Sequence, residues 1–245
     1  MRAVAERAGS RPDGAIRVLA VSDEVAEALL ADVSPVRSAQ LILACGDLPA
    51  EYLRALMNAL DVPRVFGPGN HDPDQSGYRV SRSGLVTKAG FPARPPWPSG
   101  AVNADGRVVD VAGVRVAGLG GCLRYSDGPN QYTERQQSRR ARALRRRAAW
   151  RRWRDHRGVD VLLTHAPPRG VGDGDDAPHR GFGCYLGLAG ALDPPLLLHG
   201  HVHPYGSAVP ARSLGRTVVR NVTGWHLLDL GPAPAGRIPE PGRAG

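Results

Sequence analysis

Leu41-Ile42-Leu43-Ala44-Cys45-Gly46-Asp47 and Val65-Phe66-Gly67-Pro68-Gly69-Asn70-His71-Asp72 share one pattern. Each is a short apolar run that breaks at glycine and delivers polar residues at once. Between them Pro49 suits the first turn of a helix, and Tyr52, Leu53, Leu56, Met57 and Leu60 recur at helical spacing. Upstream, Ile16 to Val21 is another apolar run. It is followed by Glu24 to Val33, with Val25, Leu29 and Leu30 predicted on one helical face. Strands with no polar alternation are buried on both faces. Their alternation with helices predicts a parallel or mixed sheet covered by helices.

Beyond residue 72 the pattern changes. Gly90 to Gly100 is Pro-rich and reads as loop. Arg107 to Val111 and Val114 to Leu119, split by Ala112-Gly113, read as an antiparallel pair. Thr133 to His156 reads as a long charged helix anchored by Leu144, Trp150 and Trp153. Val159 to Thr164 and Leu196 to Leu198 are buried strands that run into His165 and toward His201. Thr217 to Val222 and Trp225 to Leu230 close the fold as strands. The expectation is a domain over residues 15–230 between flexible tails, 1–14 and 231–245.

The 245 residues suffice for one sizeable core. No apolar run reaches the roughly 20 residues that span a bilayer, so no membrane role is expected. Met1 to Gly14 lack the apolar segment of a secretory signal. Cys45, Cys122 and Cys184 form neither a CxxC pair nor an even framework, which favours a reducing cytoplasm. The net charge of +9 is almost entirely arginine, Lys88 being the only lysine, and is concentrated between Arg135 and Arg157. A solvated helix face explains that run. A surface for phosphorylated substrates or nucleic acid is the sharper alternative.

The chemistry lies in the residues just past the strands: Asp23, Asp47, Asn70 with His71, His165, and His201 with His203. Taken singly, each has a plain reading. Asp47 could cap the helix near Pro49, and a lone histidine at a strand end is usually a hydrogen-bonded core residue. Together they supply carboxylate, amide and imidazole ligands at one edge of a sheet. That mixture suits Mn, Fe or Zn better than Ca or Mg. His199 should face away from the set and is read as structural.

The order Gly46-Asp47, Gly69-Asn70-His71-Asp72, Thr164-His165-Ala166-Pro167-Pro168 and Gly200-His201-Val202-His203 resembles the calcineurin-like metallophosphoesterase superfamily, especially its small single-domain bacterial members. The resemblance runs from about Ile16 to Leu230. It implies an α/β fold, a four-layer αββα sandwich of two mixed sheets with metals at the strand ends. It also implies two divalent transition metals (Mn, Fe, Zn or Ni). Asp23 and His203 would hold the first, Asp47 would bridge, and Asn70, His165 and His201 would hold the second. A metal-bound hydroxide would attack the phosphoester. His71 would assist the leaving group and Asp72 would orient His71.

One position departs. The family pattern has histidine two residues after Asp23, where this chain has Val25. Three explanations are open: a weakened first site on Asp23, Asp47, His203 and water; a substitute ligand; or a protein with one metal or none. Glu24 is adjacent but is expected to point elsewhere, and His179 is a looser candidate. On the substrate side, Arg124 is expected to pair with phosphate, and Tyr125 and Tyr132 to stack a base or sugar. The leading function is hydrolysis of a phosphodiester or phosphomonoester of a small molecule. A nuclease and a non-catalytic ligand-binding protein are the alternatives.

Overall fold

The computed structural model describes residues 14–81, 83–204 and 209–231; the expected tails otherwise lie outside these. In chain order the first elements are β1 (Ile16–Ser22), α1 (Glu27–Ala31), β2 (Leu41–Ala44), α2 (Ala50–Leu60) and β3 (Arg64–Phe66). A small peripheral sheet, β4 (Tyr78–Val80), β5 (Val86–Lys88) and β6 (Phe91–Pro92), precedes β7 (Ala101–Asn103). The second half contains β8 (Val108–Val111), β9 (Val114–Leu119), a short pair β10 (Cys122–Leu123) and β11 (Gln131–Tyr132), and α3 (Glu134–Asp155). It ends with β12 (Val161–Thr164), α4 (Cys184–Leu192), β13 (Leu196–His199), β14 (Arg212–Leu214), β15 (Thr217–Asn221) and β16 (Gly224–Leu230).

Two mixed sheets form the sandwich, in strand orders β16-β1-β2-β3-β7 and β14-β15-β13-β12-β9-β8. Within each, the central strands are parallel and the edges include antiparallel pairs. Three apolar layers explain the four-layer architecture. Val18, Leu43 and Val65 of the first sheet meet Val116, Leu163 and Leu198 of the second between the sheets. Leu19, Ile42 and Phe66 on the other face of the first sheet take Leu29 of α1 and Leu53 and Leu56 of α2. Ala117, Leu162 and Leu197 take Leu144 of α3 and Tyr185 and Leu188 of α4. The period-2 alternation of strand side chains thus buries both faces, which is why these strands are continuously apolar.

α3 starts where its sequence signals it. Thr133 caps the Gln136 N–H while the Gln136 side chain accepts from the Thr133 N–H, a capping box. Its arginines are partly consumed by neighbouring aspartates. Arg140 pairs with Asp105 and Arg151 with Asp110, while Asp155 at its end pairs with Arg115.

Three expectations need correction. The helix predicted from Glu24 to Val33 is only Glu27–Ala31, with Leu29 buried and Val25 39 % and Leu30 50 % exposed; five residues make too few turns to persist without tertiary cover. Trp150 and Trp153 are not anchors of α3, being 54 % and 76 % exposed; Gln137, Ala141, Leu144 and Ala148 are its buried face. The Pro-rich loop contains β6, part of the small sheet.

Leu43 is fully buried between the sheets. Leu43→Ala should lower unfolding free energy by about 2–5 kcal/mol, the usual cost of a large-to-small core change. Urea denaturation measures it, and a loss under about 1 kcal/mol would contradict a close-packed inter-sheet layer.

Candidate metal centre

Five parallel strands of the two sheets, β1, β2, β3, β12 and β13, end at one edge of the sandwich. Each is followed closely by a polar residue of the set. Asp23, Asp47 and His201 all adopt left-handed backbone, φ 61°, 56° and 67°. That conformation is uncommon outside glycine and concentrates at functional sites. It turns each chain sharply and aims the side chain back over the strand ends.

The neighbouring glycines make this crowding feasible. A Cβ on Gly46 would collide with the backbone of Gly69, and one on Gly69 with the Asp47 carboxylate. A Cβ on Gly200 would strike the Asp23 carboxylate and the Ser22 hydroxyl. The three glycines of the motifs are therefore places where backbone comes against backbone or a carboxylate of the set.

Asp47 Oδ1 accepts from the His71 N–H at 2.8 Å, and Oδ2 lies 3.3 Å from His165 Nε2. The α2 cap position is Pro49, without a side-chain cap, so Asp47 is not a helix cap. His165 is fully buried, and its Nδ1 meets the Cys45 carbonyl at 2.7 Å. A carbonyl can only accept, so Nδ1 carries hydrogen and, in the neutral ring, Nε2 presents its lone pair. That lone pair faces Asp47 and Asn70 Oδ1, the latter at 2.9 Å. Asn70 is held in this sense because its Nδ2 donates to the Tyr125 hydroxyl at 3.1 Å. His201 Nε2 meets the Pro178 carbonyl at 2.7 Å, which leaves Nδ1 as the lone-pair atom. One ligand atom from each of Asp47, His165 and His201 lies within 4.8 Å of the others.

These groups fit a divalent cation. Ligands about 2.1 Å from a common ion lie about 3 Å apart, the spacing found for the His165, Asn70 and Asp47 atoms. Three acceptor atoms that converge so closely require a positive charge between them, a cation or a proton. Burial lowers the His165 pKa, but Asp47 more than reverses this and the value is raised to about 9. His201 moves the other way, to about 3, through burial and the charge of His165. Asp47 is raised by burial, yet His165 and the His71 N–H bring it below the ordinary carboxylate value.

A calcineurin-like phosphoesterase family model matches residues 20–205. The chain belongs to the calcineurin-like phosphoesterase family. Members of that family carry divalent metals, so the convergence at Asp47 has its chemical reason. No curated protein matched. Among solved structures, TT1561 of Thermus thermophilus is similar over 88 % of this chain and 95 % of its own, at 19 % identity and a TM-score of 0.58. A second is similar over the same shares at 16 % identity and a TM-score of 0.56. At these identities the likeness is one of fold.

The other family positions are placed less tightly. Asp23 Oδ2 accepts from the His201 N–H at 2.9 Å. His203 Nδ1 lies 3.2 Å from Glu24 Oε1. Glu24 therefore does not point elsewhere, as expected from sequence. The left-handed turn at Asp23 carries the Glu24 carboxylate toward His203, while Val25 faces solvent. The pair leaves His203 Nε2 as the lone-pair atom, a carboxylate–histidine arrangement common behind metal ligands. His179, the other candidate substitute, stands with its ring centroid 5.5 Å from that of His201 and its Nδ1 2.7 Å from Asp176.

Two expected roles change. Asp72 does not orient the His71 ring. Its Oδ2 accepts from the N–H groups of Asp47 and Gly69 at 3.1 and 2.8 Å, and so fixes both ligand loops. Tyr132 is not an open stacking platform, because the Arg140 guanidinium lies 4.1 Å from its ring centroid. Arg124 is exposed on the loop after β10, its backbone N–H donating to the Tyr132 carbonyl, and the neighbouring Tyr125 touches the site through Asn70. His199 is buried, with Nδ1 on the Gly200 carbonyl at 3.0 Å and its pKa lowered to about 4 by burial.

Asn130, which the sequence presents only as a turn residue, has a larger part. Its amide donates to the carbonyls of Gly69 and Asp72 at 2.9 and 3.0 Å, tying the loop after β10 to the Gly69–Asp72 loop. Polarity and left-handed propensity are its only sequence signals. Asp173 likewise accepts from the Gly170 and Gly181 N–H groups and shapes the loop that carries Pro178 to His201.

Metal uptake should displace the His165 proton. Below its pKa of about 9 this ring is protonated and must lose a proton to bind, whereas His201 is already neutral. Affinity for Zn²⁺ should rise about tenfold per pH unit from about pH 6 toward 9. Calorimetry in buffers of different ionisation enthalpy should find about one proton released at about pH 7. Proton-independent binding would show that His165 is not a ligand.

Proposed function

We propose that this protein is a metal-dependent hydrolase of phosphate monoesters or diesters of small molecules. The observation that carries the reading is the convergence of Asp47, Asn70 and His165 acceptor atoms beside His201. Bound divalent ions would polarise the phosphoryl group and lower the pKa of an attacking water. Asp47 would bridge two ions, with Asn70, His165 and His201 on one and Asp23 and His203 on the other. His71, exposed at the mouth and fixed through its N–H to Asp47, donates a proton or hydrogen bond to the leaving oxygen. Asp72 and Asn130 hold the backbone from which His71 projects. Tyr125 fixes the Asn70 amide and borders the substrate. The three cysteines are unpaired, which is in keeping with a cytoplasmic setting.

The first metal position is the weaker half. Val25 supplies no lone pair, and its Glu24 neighbour serves by holding His203. Metal analysis should find nearly one tightly held ion in the wild type and a second at higher metal concentration. Glu24→Ala should weaken the second ion, and Val25→His should strengthen it. A Val25→His variant that binds metal less well would mean that Val25 is fitted to a different site.

A nuclease is the second reading, favoured by Trp150 and Trp153 standing exposed among the arginines of α3. Salt-dependent DNA binding, lost in a Trp150→Ala/Trp153→Ala double variant, would support it. The decisive assay is hydrolysis of nitrophenyl phosphate and bis-nitrophenyl phosphate with Mn, Fe, Ni or Zn. His71→Ala should lower kcat about 10²–10⁴-fold with metal content unchanged. Folded, metal-loaded protein without turnover on any ester would overturn the enzyme reading in favour of ligand binding alone.

A further inference from the structure

Arg64 sits on β3 with its side chain on the α2 side of the sheet, and it is 0 % exposed. None of its three guanidinium nitrogens has a hydrogen-bond partner among the described residues. No carboxylate among those residues lies within ion-pair distance of it. Its neighbours are the Phe66 ring, whose centroid is 5.8 Å away, and the like charge of Arg54. A buried, unpaired cation is costly, and native proteins pair such groups with few exceptions. Burial and Arg54 lower its pKa to about 10, which leaves it charged at neutral pH.

Arg64 borders a cavity of about 420 Å³ that also reaches Asp47, His71 and Asp72. The volume is in the range of small-ligand sites. Trp97 forms an aromatic wall, packed on Phe66 and Tyr78 at 6.0 and 5.5 Å. The first turn of α2 lines the same space and begins at Pro49 without a side-chain cap. An uncapped helix start adds N–H donors and a positive dipole end. The carboxylates at the far end are occupied: Asp47 with His71 and His165, Asp72 with two backbone N–H groups. Glu51 is exposed and lies 4.0 Å from Arg54.

We propose that this cavity is a second anion site, in which Arg64 and the start of α2 bind a phosphate or carboxylate on the alcohol half of the substrate. The inference rests on the phosphoesterase reading and narrows it. The preferred substrate is a phosphoester whose leaving alcohol carries its own anionic group, placed so that His71 lies between that anion and the metals. Arg64 is a binding and specificity residue, remote from the reacting atoms.

Binding and turnover test it separately. With metals removed by chelator, inorganic phosphate should raise the Tm of the wild type, and Arg64→Met should lose most of that rise. In the wild type the same titration should shift the Arg64 Nε–Hε resonance, a readout that survives if the variant does not fold. With metal, 4-carboxyphenyl phosphate and 1,4-phenylene bisphosphate should exceed phenyl phosphate in kcat/KM by about ten- to hundredfold, the worth of a hydrogen-bonded charge. The larger of the two ratios tells carboxylate from phosphate. Arg64→Met should collapse both ratios and Arg64→Lys should retain part of them. Equal phosphate-induced Tm shifts in wild type and Arg64→Met, with an unmoved Arg64 resonance, would overturn the proposal. If no ester is hydrolysed the phosphoesterase reading fails, while the phosphate titration still decides whether Arg64 binds anions.

Discussion

The contact on which the site depends is the meeting of two backbones, Gly46 of the loop after β2 and Gly69 of the loop after β3. No side chain fits between them. Their approach brings Asp47 against the N–H of His71 and lets Asp72 reach back to the N–H groups of Asp47 and Gly69. The two loops are thus laced reciprocally, carboxylate to backbone in both directions. His165 enters from the other sheet and is pinned by the Cys45 carbonyl, beside the same glycine. A ligand cluster shared between two sheets is held by atoms of the chain itself. This is the rigidity a metal site needs if its ligands are not to reorganise when the ion arrives.

Much of this is legible in the sequence because it is local. Gly46-Asp47 and Gly69-Asn70-His71-Asp72 show that a strand stops, the backbone crowds and a ligand follows. The apolar runs mark the central strands, and Thr133 with Gln136 marks the start of α3. The features that the sequence conceals depend on distant partners. Cys184–Leu192 has little helical patterning because its residues are apolar on nearly all sides, although it packs beside α3 with one face on the sheet. Glu24 cannot be placed without the left-handed turn at Asp23. Asn130 and Pro178 act through a backbone carbonyl met or offered, which leaves no signature of residue type. Arg64, beside the apolar Val65 and Phe66, does carry a signal: a charge at a buried strand position asks for a partner.

The basic character also divides once contacts are known. Arg115, nearly buried, is clamped by Asp110 and Asp155 and its pKa is raised by those bonds. Arg140 bridges Asp105 and the Gly120 carbonyl, while its guanidinium covers Tyr132. These arginines fasten α3 to β8 and β9, and removing Arg140 would leave the partly buried Asp105 carboxylate without its ion-pair partner. Arg64 differs in kind. It has no acceptor to fasten among the described residues, so the same residue type that is structural on α3 is available for ligand work at the metal edge.

The two proposed metal positions differ in how their histidines are set. His165 and His201 each give one ring nitrogen to a backbone carbonyl, an acceptor that cannot be titrated away. His203 gives its nitrogen to the Glu24 carboxylate, in a pair whose side chains are about two-fifths exposed. A contact exposed to that extent competes with water and contributes little, whereas a buried carbonyl contact is shielded from solvent. With valine at position 25, the proposed first position therefore lacks both the expected histidine and a buried brace, while the proposed second has buried carbonyl braces for its histidines. The asymmetry read in the sequence as one missing histidine is, in the structure, a difference in the rigidity of the supporting atoms.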